Sequence, residues 1–109
     1  MIDFTPSEDQ IAFRTMAEAF AADELKPNAI EWDQKKHFPT DVLARAGALG
    51  LGAMYTRDDV GGTGLGRVDS VMIFEALAKG CPTIAAYISI HNMCCWMIDT
   101  YGSADQRAM

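Results

Sequence analysis

Basic residues are few in this sequence, and their scarcity limits what the protein binds. Nine lysines and arginines stand against fifteen aspartates and glutamates in 109 residues, which gives a formal net charge of -6 at pH 7. Surfaces that bind nucleic acid or an anionic membrane need clustered Lys and Arg, because both ligands are polyanions. The composition therefore predicts a protein whose partners include neither nucleic acid nor a membrane.

The three cysteines do not suggest a disulfide. Cys81, Cys94 and Cys95 make an odd number, and neighbours on a helix point about 100° apart, which suits no ordinary disulfide. We therefore expect a reducing compartment. The opening MIDFTPSEDQ lacks both the apolar run of a secretory signal and the arginines of a transit peptide, which predicts a mature or cytoplasmic start.

Strand-like alternation of apolar and polar residues is missing, apart from a brief candidate at residues 51–55. Helical spacing and helix-start signals predict helices at residues 5–25, 28–36, 39–49, 66–80 and 81–98, and another that begins at Ser103 and is unfinished at Met109. The hydrophobic half of the sequence suffices for the core of a small domain. We predict an all-α protein in which residues 1–109 are one helical domain, cut from a longer chain.

The first and fourth predicted helices carry specific expectations. Thr5 is the expected N-cap of the first, and Glu8 completes a capping box with it. The face of the fourth helix that is expected to be buried carries Val68, Val71 and Met72. Glu75 falls between them, and a carboxylate there would need a cationic or hydrogen-bonding partner.

Residues 81–98 form a long uncharged stretch, CPTIAAYISIHNMCCWMI, that is enough for about five helical turns. Its proline and several polar residues argue against a membrane span. Its apolar side chains point in all directions at about 100° per residue, so we expect protein to surround this central helix on every side. Ser89, His91 and Asn92 would then need hydrogen-bond partners, unless they face a ligand.

Three local patterns suggest chemistry, and each has a plainer structural explanation. Residues 61–66, GGTGLG, precede a helix, but their spacing fits neither GxGxxG nor a P-loop, which favours a structural turn over phosphate binding. His91 and Cys95 are four residues apart beside Cys94, but no second ligand pair supports a metal site or a nucleophile. Glu75 would suit a general base if it were buried, although a structural ion pair is the commoner reason for such a residue.

Several motifs in order resemble the N-terminal helical domain of acyl-CoA dehydrogenases. They are FPTDVL, a Leu-Gly-Leu-Gly run, DDVGGTGLG, IFEALAKGC and AYISIHNMCCWMIDTYG, and together they cover essentially the whole chain. The stretches EWDQK, FEALA, ISIHNMC and WMID look like the branch of that family that acts on isobutyryl-CoA in valine breakdown.

The resemblance implies a flavoenzyme with a middle β-domain and a C-terminal helical domain that are missing here, assembled as a homotetramer with FAD. In that family a glutamate removes the proton next to the thioester carbonyl, a hydride passes to the flavin, and electrons leave to an electron-transfer flavoprotein. The catalytic glutamate and the main flavin contacts belong to the missing domains, so Glu75 should not take the catalytic role. The implied location is the cytoplasm in a bacterium or the mitochondrial matrix in a eukaryote.

The same resemblance assigns part of the substrate pocket to the central helix. By motif position, Ala86, Ser89 and Met93 are expected nearest the acyl tail of an acyl-CoA substrate, and no catalytic, cofactor-binding or metal-binding residue is expected in this segment. The alternative is a stand-alone helical interaction module without catalysis, which would bind a partner through the surface that relatives cover with their middle domain.

Overall fold

The computed structural model describes residues 2–109 of the chain. Its helices are α1 (Glu8–Phe20), α2 (Ala29–Lys35), α3 (Thr40–Ala48), α4 (Arg67–Gly80), α5 (Pro82–Tyr101) and α6 (Ala104–Ala108). A π-helical turn, Ala21–Leu25, continues α1, and a short 3₁₀ helix, Asp58–Val60, lies in the long loop between α3 and α4. Residues 2–109 contain no β-strand, so the all-α prediction is confirmed and the strand candidate at residues 51–55 is wrong.

The N-terminus of α1 lies further along the chain than predicted, because Ser7 rather than Thr5 is its N-cap. The Ser7 hydroxyl accepts a hydrogen bond from the Gln10 backbone N–H (3.1 Å), and the Gln10 side chain accepts one from the Ser7 N–H (2.9 Å). This reciprocal pair satisfies two N–H groups that the first turn of a helix leaves free. The Thr5 N–H instead donates to the side chain of Asp3 (2.9 Å) in the segment before the helix.

The core lies where α1 and its π-helical turn pack on α4, and where α4 packs on α5. Its buried apolar side chains include Ala17, Phe20, Leu25, Ile73, Leu77, Ile84 and Ile88. Gly80 marks the closest approach: a Cβ at this position would lie 2.7 Å from the Ala21 carbonyl oxygen and 3.0 Å from the Leu25 Cβ. Contacts that short leave room only for glycine.

The buried face of α4 differs from the predicted one. Ser70, Ile73 and Leu77 are buried, whereas Val68 and Val71 are 69% and 62% exposed. Glu75 is exposed as well, so its carboxylate needs no buried partner. The prediction chose a neighbouring stripe of apolar residues, because the sequence offers apolar side chains on both sides of this helix.

The central helix α5 is only half covered, which corrects the expectation that protein surrounds it. Ile84, Ala85 and Ile88 are buried on one side, while Ile90 and Tyr101 on the other are 55% and 78% exposed. Its apolar character on all sides therefore reflects a buried face and a second, uncovered face. Within residues 2–109, no helix combines the length and the hydropathy needed to cross a membrane.

Candidate functional site

A line of small and apolar side chains on the uncovered face of α5 contains every residue assigned to the acyl pocket from the sequence. It comprises Ala86, Ser89, Ile90, Met93 and Met97, and we call it the outer stripe. At about 100° per residue these five lie within roughly 100° of one another around the helix. Met93 and Met97 are each 48% exposed, Ala86 is exposed, and Ser89 is half-buried. The helix thus presents Ala86, Ser89 and Met93 on a single face.

Ser89 is the polar member of the outer stripe. Serines in helices often donate back to their own backbone, and Ser70 does so in α4, where its hydroxyl donates to the Gly66 carbonyl oxygen (3.1 Å). The side-chain hydrogen bonds found within residues 2–109 do not include the Ser89 hydroxyl. A small side chain with a free hydroxyl leaves both space and a hydrogen-bonding group for a ligand.

Asn92, on the buried side of α5, holds the loop between α3 and α4 against the helix. Its side-chain oxygen accepts from the Met54 backbone N–H (2.6 Å), and its side-chain nitrogen donates to the carbonyl oxygens of Leu51 and Ile88 (2.8 Å each). The residue is fully buried, with 0% of its surface exposed. Protein groups alone therefore supply the hydrogen-bond partners that a buried Asn92 was expected to need.

Asp99 holds the same loop at the far end of α5, and its carboxylate accepts several hydrogen bonds. The Arg57 backbone N–H donates to it (3.1 Å), the Arg57 Nε lies 3.1 Å from both of its oxygens, and the Arg107 Nε donates to it (2.8 Å). Arg107 also pairs with Asp59 (2.8 Å). The side-chain hydrogen bond from Arg57 does most to lower the pKa of Asp99, to about 2, against burial, which acts to raise it.

The glycine-rich segment at residues 61–66 has no free backbone N–H for a phosphate. Its six N–H groups donate to the carbonyl oxygens of Asp58, Arg57, Ala53, Thr56 and Met54 and to the side chain of Asp69, at 2.7 to 3.1 Å. Anion sites at helix N-termini depend on unpaired N–H groups that point at the ligand. The structural explanation of this motif is therefore correct, and the loop offers no cradle for the pyrophosphate of a dinucleotide.

The cysteine and histidine side chains of α5 do not form a reactive pair. The Cys95 Sγ lies 3.6 Å from the His91 Nε2 and 3.7 Å from the Gly52 carbonyl oxygen. Burial raises the pKa of the Cys95 thiol, which disfavours the thiolate that a nucleophile or a metal ligand needs. No cluster of His, Cys, Asp or Glu suited to a metal ion occurs in the part of the chain that the structure describes.

A stack of a guanidinium and two aromatic rings joins the start of α4 to α5. The Arg67 guanidinium carbon lies 3.9 Å from the ring centre of Tyr55 and 5.1 Å from that of Trp96. Trp96 also meets Tyr101 edge to face, with ring centres 6.0 Å apart. No sequence pattern indicates this stack, because its members come from the loop, α4 and α5.

A cavity lies at the C-terminal end of α5, away from the predicted pocket residues. Its volume is about 710 Å³, and its walls include Ala53, Gly62, Met97, Tyr101 and Arg107. Met97 is its one residue from the outer stripe. Ala86, Ser89 and Met93 thus line an open face of the helix rather than this cavity.

The family follows from comparison with known proteins. Residues 7–109 match the model of the acyl-CoA dehydrogenase N-terminal domain. The match covers more than half of the chain, and the all-helical architecture agrees with it. The chain belongs to the acyl-CoA dehydrogenase family, as the sequence motifs indicated.

Within the family, the chain is similar to mitochondrial isobutyryl-CoA dehydrogenases. It is 54% identical to the enzyme of Bos taurus and 50% identical to that of Dictyostelium discoideum, over 93% of this chain in each case. The chain spans 24% of the length of each of these relatives. The similarity is thus strong but concerns about a quarter of the relative.

Solved structures give the same fold. The chain matches butyryl-CoA dehydrogenase from Megasphaera elsdenii with a TM-score of 0.87 at 24% identity, over 98% of this chain and 29% of that one. It also matches an FAD complex of PigA with a TM-score of 0.88 at 28% identity, over 97% of this chain and 28% of the other. The first match supports the helical fold alone, because its identity is low.

Proposed function

We propose that residues 1–109 are one helical domain of a longer FAD-dependent acyl-CoA dehydrogenase that oxidises isobutyryl-CoA or a similar short branched-chain acyl-CoA to the 2,3-enoyl-CoA. The observation that carries the proposal is the 54% identity to an isobutyryl-CoA dehydrogenase over nearly the whole chain. The proposed process is valine breakdown, in the mitochondrial matrix of a eukaryote or the cytoplasm of a bacterium.

In this proposal the segment contributes a pocket wall and no catalytic base. The outer stripe of α5 is apolar, exposed and interrupted by one small hydroxyl residue, which suits contact with a short acyl chain. Ala86, Ser89 and Met93 would limit the size of that chain, because an extra methylene that overlaps a side chain costs about 1 to 3 kcal/mol of discrimination. Glu75 lies on α4, exposed and outside the outer stripe, so the base comes from another domain.

In this proposal, FAD is bound mainly by the domains of the longer protein that lie outside residues 1–109. The N–H groups of the glycine-rich segment are all in use, so residues 61–66 cannot hold the FAD pyrophosphate. When bound, FAD supplies the acceptor for the hydride from the substrate. We further propose a homotetramer that passes its electrons to an electron-transfer flavoprotein, as the family resemblance implies.

The test is the complete purified enzyme mixed with acyl-CoA substrates without oxygen. We expect a flavin absorbance band that bleaches faster with isobutyryl-CoA than with straight-chain hexanoyl-CoA, together with formation of the enoyl-CoA. A flavin-free native protein with a mass near 11.9 kDa would instead support the stand-alone interaction module. The exposed outer stripe would then be the surface that binds its partner.

Ser89→Gly tests the assignment of the pocket wall in the complete enzyme. Removing the hydroxymethyl group should let longer acyl chains fit and lower the ratio of isobutyryl-CoA to hexanoyl-CoA turnover (kcat/KM) about tenfold. Thr100→Gly is the control, because it places the same glycine in α5 about 16 Å further along the helix. An unchanged ratio in Ser89→Gly would contradict the assignment.

A further inference from the structure

The two halves of α5 are held in place by different kinds of contact. Ile84, Ala85 and Ile88 anchor the first half in the apolar core. In the second half the buried residues are Asn92 and Asp99, and both act through hydrogen bonds to the loop between α3 and α4. Apolar packing tolerates small rotations of a helix, whereas hydrogen bonds have preferred directions. The rotation of the second half of α5 therefore depends on these polar anchors.

Asn92 is the anchor nearest to the outer stripe. It lies between Ser89 and Met93 in sequence, about 60° from the first and 100° from the second around the helix. Two of its hydrogen bonds reach Leu51 and Met54 in the loop, and the third reaches the Ile88 carbonyl oxygen in α5. Asn92 therefore joins the loop to the backbone of the helix. A change at Asn92 would shift the helix where Ser89 and Met93 are placed.

We propose that Asn92 is a positioning residue for the acyl pocket: by joining residues 51–54 to α5, it sets the rotation of the helix and so the depth of the pocket at Ser89 and Met93. The inference rests on the proposed function, because it gives Asn92 a role only if the outer stripe meets an acyl chain. Without the carboxamide, the Leu51 carbonyl and the Met54 N–H lose their partner in the interior, and loop and helix move apart.

The experiment measures substrate preference in the complete flavin-loaded enzyme. Asn92→Ala should change the ratio of kcat/KM for isobutyryl-CoA over hexanoyl-CoA about tenfold, the size of one misplaced methylene. Asn92→Ser, which keeps a short polar group, should change the ratio in the same direction by a smaller factor and covers the case in which Asn92→Ala does not fold. Dissociation constants for the two enoyl-CoA products should shift in parallel with the kinetic ratio.

Asp99→Asn is the matched control. Asp99 is the other buried polar anchor of α5, lies about 10 Å further along the helix, and bonds to the same loop through Arg57. Its replacement should lower the melting temperature, as the Asn92 variants do, while the substrate ratio stays within about twofold of the wild type. A purely structural role for Asn92 predicts that both Asn92 variants behave like Asp99→Asn.

The outcomes separate this inference from the proposed function. If Ser89→Gly changes the ratio and the Asn92 variants change it no more than Asp99→Asn does, the inference is wrong and the pocket assignment stands. If Ser89→Gly leaves the ratio unchanged, the pocket assignment itself fails. Support requires that the Asn92 variants change the ratio and that their effect is not additive with Ser89→Gly, because side chains that share one pocket wall are coupled.

Discussion

At the scale of single residues, the hydrogen-bonded carboxylate of Asp99 shows how a charge can be kept in a mostly apolar helix. Its side chain is 6% exposed, and its carboxylate accepts hydrogen bonds from Arg57 in the loop and Arg107 in α6. The loop, α5 and α6 therefore meet at one ionised group. The uncharged stretch that precedes Asp99 gives no sign of this, because Arg57 is 42 positions away.

Asp99 makes the stability of the protein depend on pH. Its pKa is about 2 in the folded protein and near the ordinary 3.8 when unfolded, so the stability it contributes is present above about pH 4 and is lost as the pH falls towards 2. Urea unfolding between pH 5 and pH 2 should show the wild type losing stability more steeply than Asp99→Asn. Glu75→Gln, which changes an exposed carboxylate on α4, should follow the wild-type curve. Parallel curves for the wild type and Asp99→Asn would contradict the assignment.

At the scale of helices, the close contact between α4 and the π-helical turn depends on Gly80. The predicted effect of Gly80→Ala is a loss of about 1 to 3 kcal/mol in the free energy of unfolding, because the new Cβ would lie 2.7 Å from the Ala21 carbonyl oxygen. Gly47→Ala, in α3, is the control, since a Cβ there meets nothing within 4 Å. It should stabilise the protein by about 0.5 to 1 kcal/mol, because alanine favours helix more than glycine does. Denaturant titration measures the free energy of unfolding of both variants. Similar changes in the two variants would contradict the close contact at Gly80.

Helix positions were mostly predictable from the sequence, whereas the buried faces were not always so. Pro39, Gly66 and the Ser103–Gln106 pair gave helix starts that the structure confirms within a residue or so, because capping is a local effect. The choice of buried face was wrong in α4, where Val71 is exposed and Ser70 is buried. Which face of a helix is buried depends on the element that packs against it, and a single sequence does not reveal that element.

At the scale of the whole molecule, one side of the bundle keeps an apolar surface uncovered. The family and its fold could be recognised from motifs alone, and helical spacing could place the proposed pocket residues on one face of α5. The partners of Asp99 and the stack on Arg67 could not, because they depend on how the long loop crosses the helices. Contiguous exposed apolar surface of this kind marks a site that another surface or a ligand covers.

The exposed outer stripe should bind an apolar dye in the 109-residue chain. Ile90→Lys with Met97→Lys should lower the fluorescence of a bound apolar dye such as ANS several-fold and leave the melting temperature nearly unchanged, because both residues are about half exposed. Val68→Lys is the control: this side chain is 69% exposed but lies on α4, outside the outer stripe, and its change should leave the dye signal as it was. Equal loss in the control would show that the dye reports general exposure.

The hydrogen bonds of residues 61–66 also decide how the protein can move. A glycine-rich loop is usually the natural place for a hinge or a lid, because glycine accepts many backbone conformations. Here the amides of the loop are bonded back to residues 53–58 and to Asp69, and Asn92 and Asp99 fasten that same loop to α5. We therefore expect loop and helix to move together as one rigid body. If the outer stripe is the proposed pocket wall, the opening that admits a ligand must come from whatever covers the stripe.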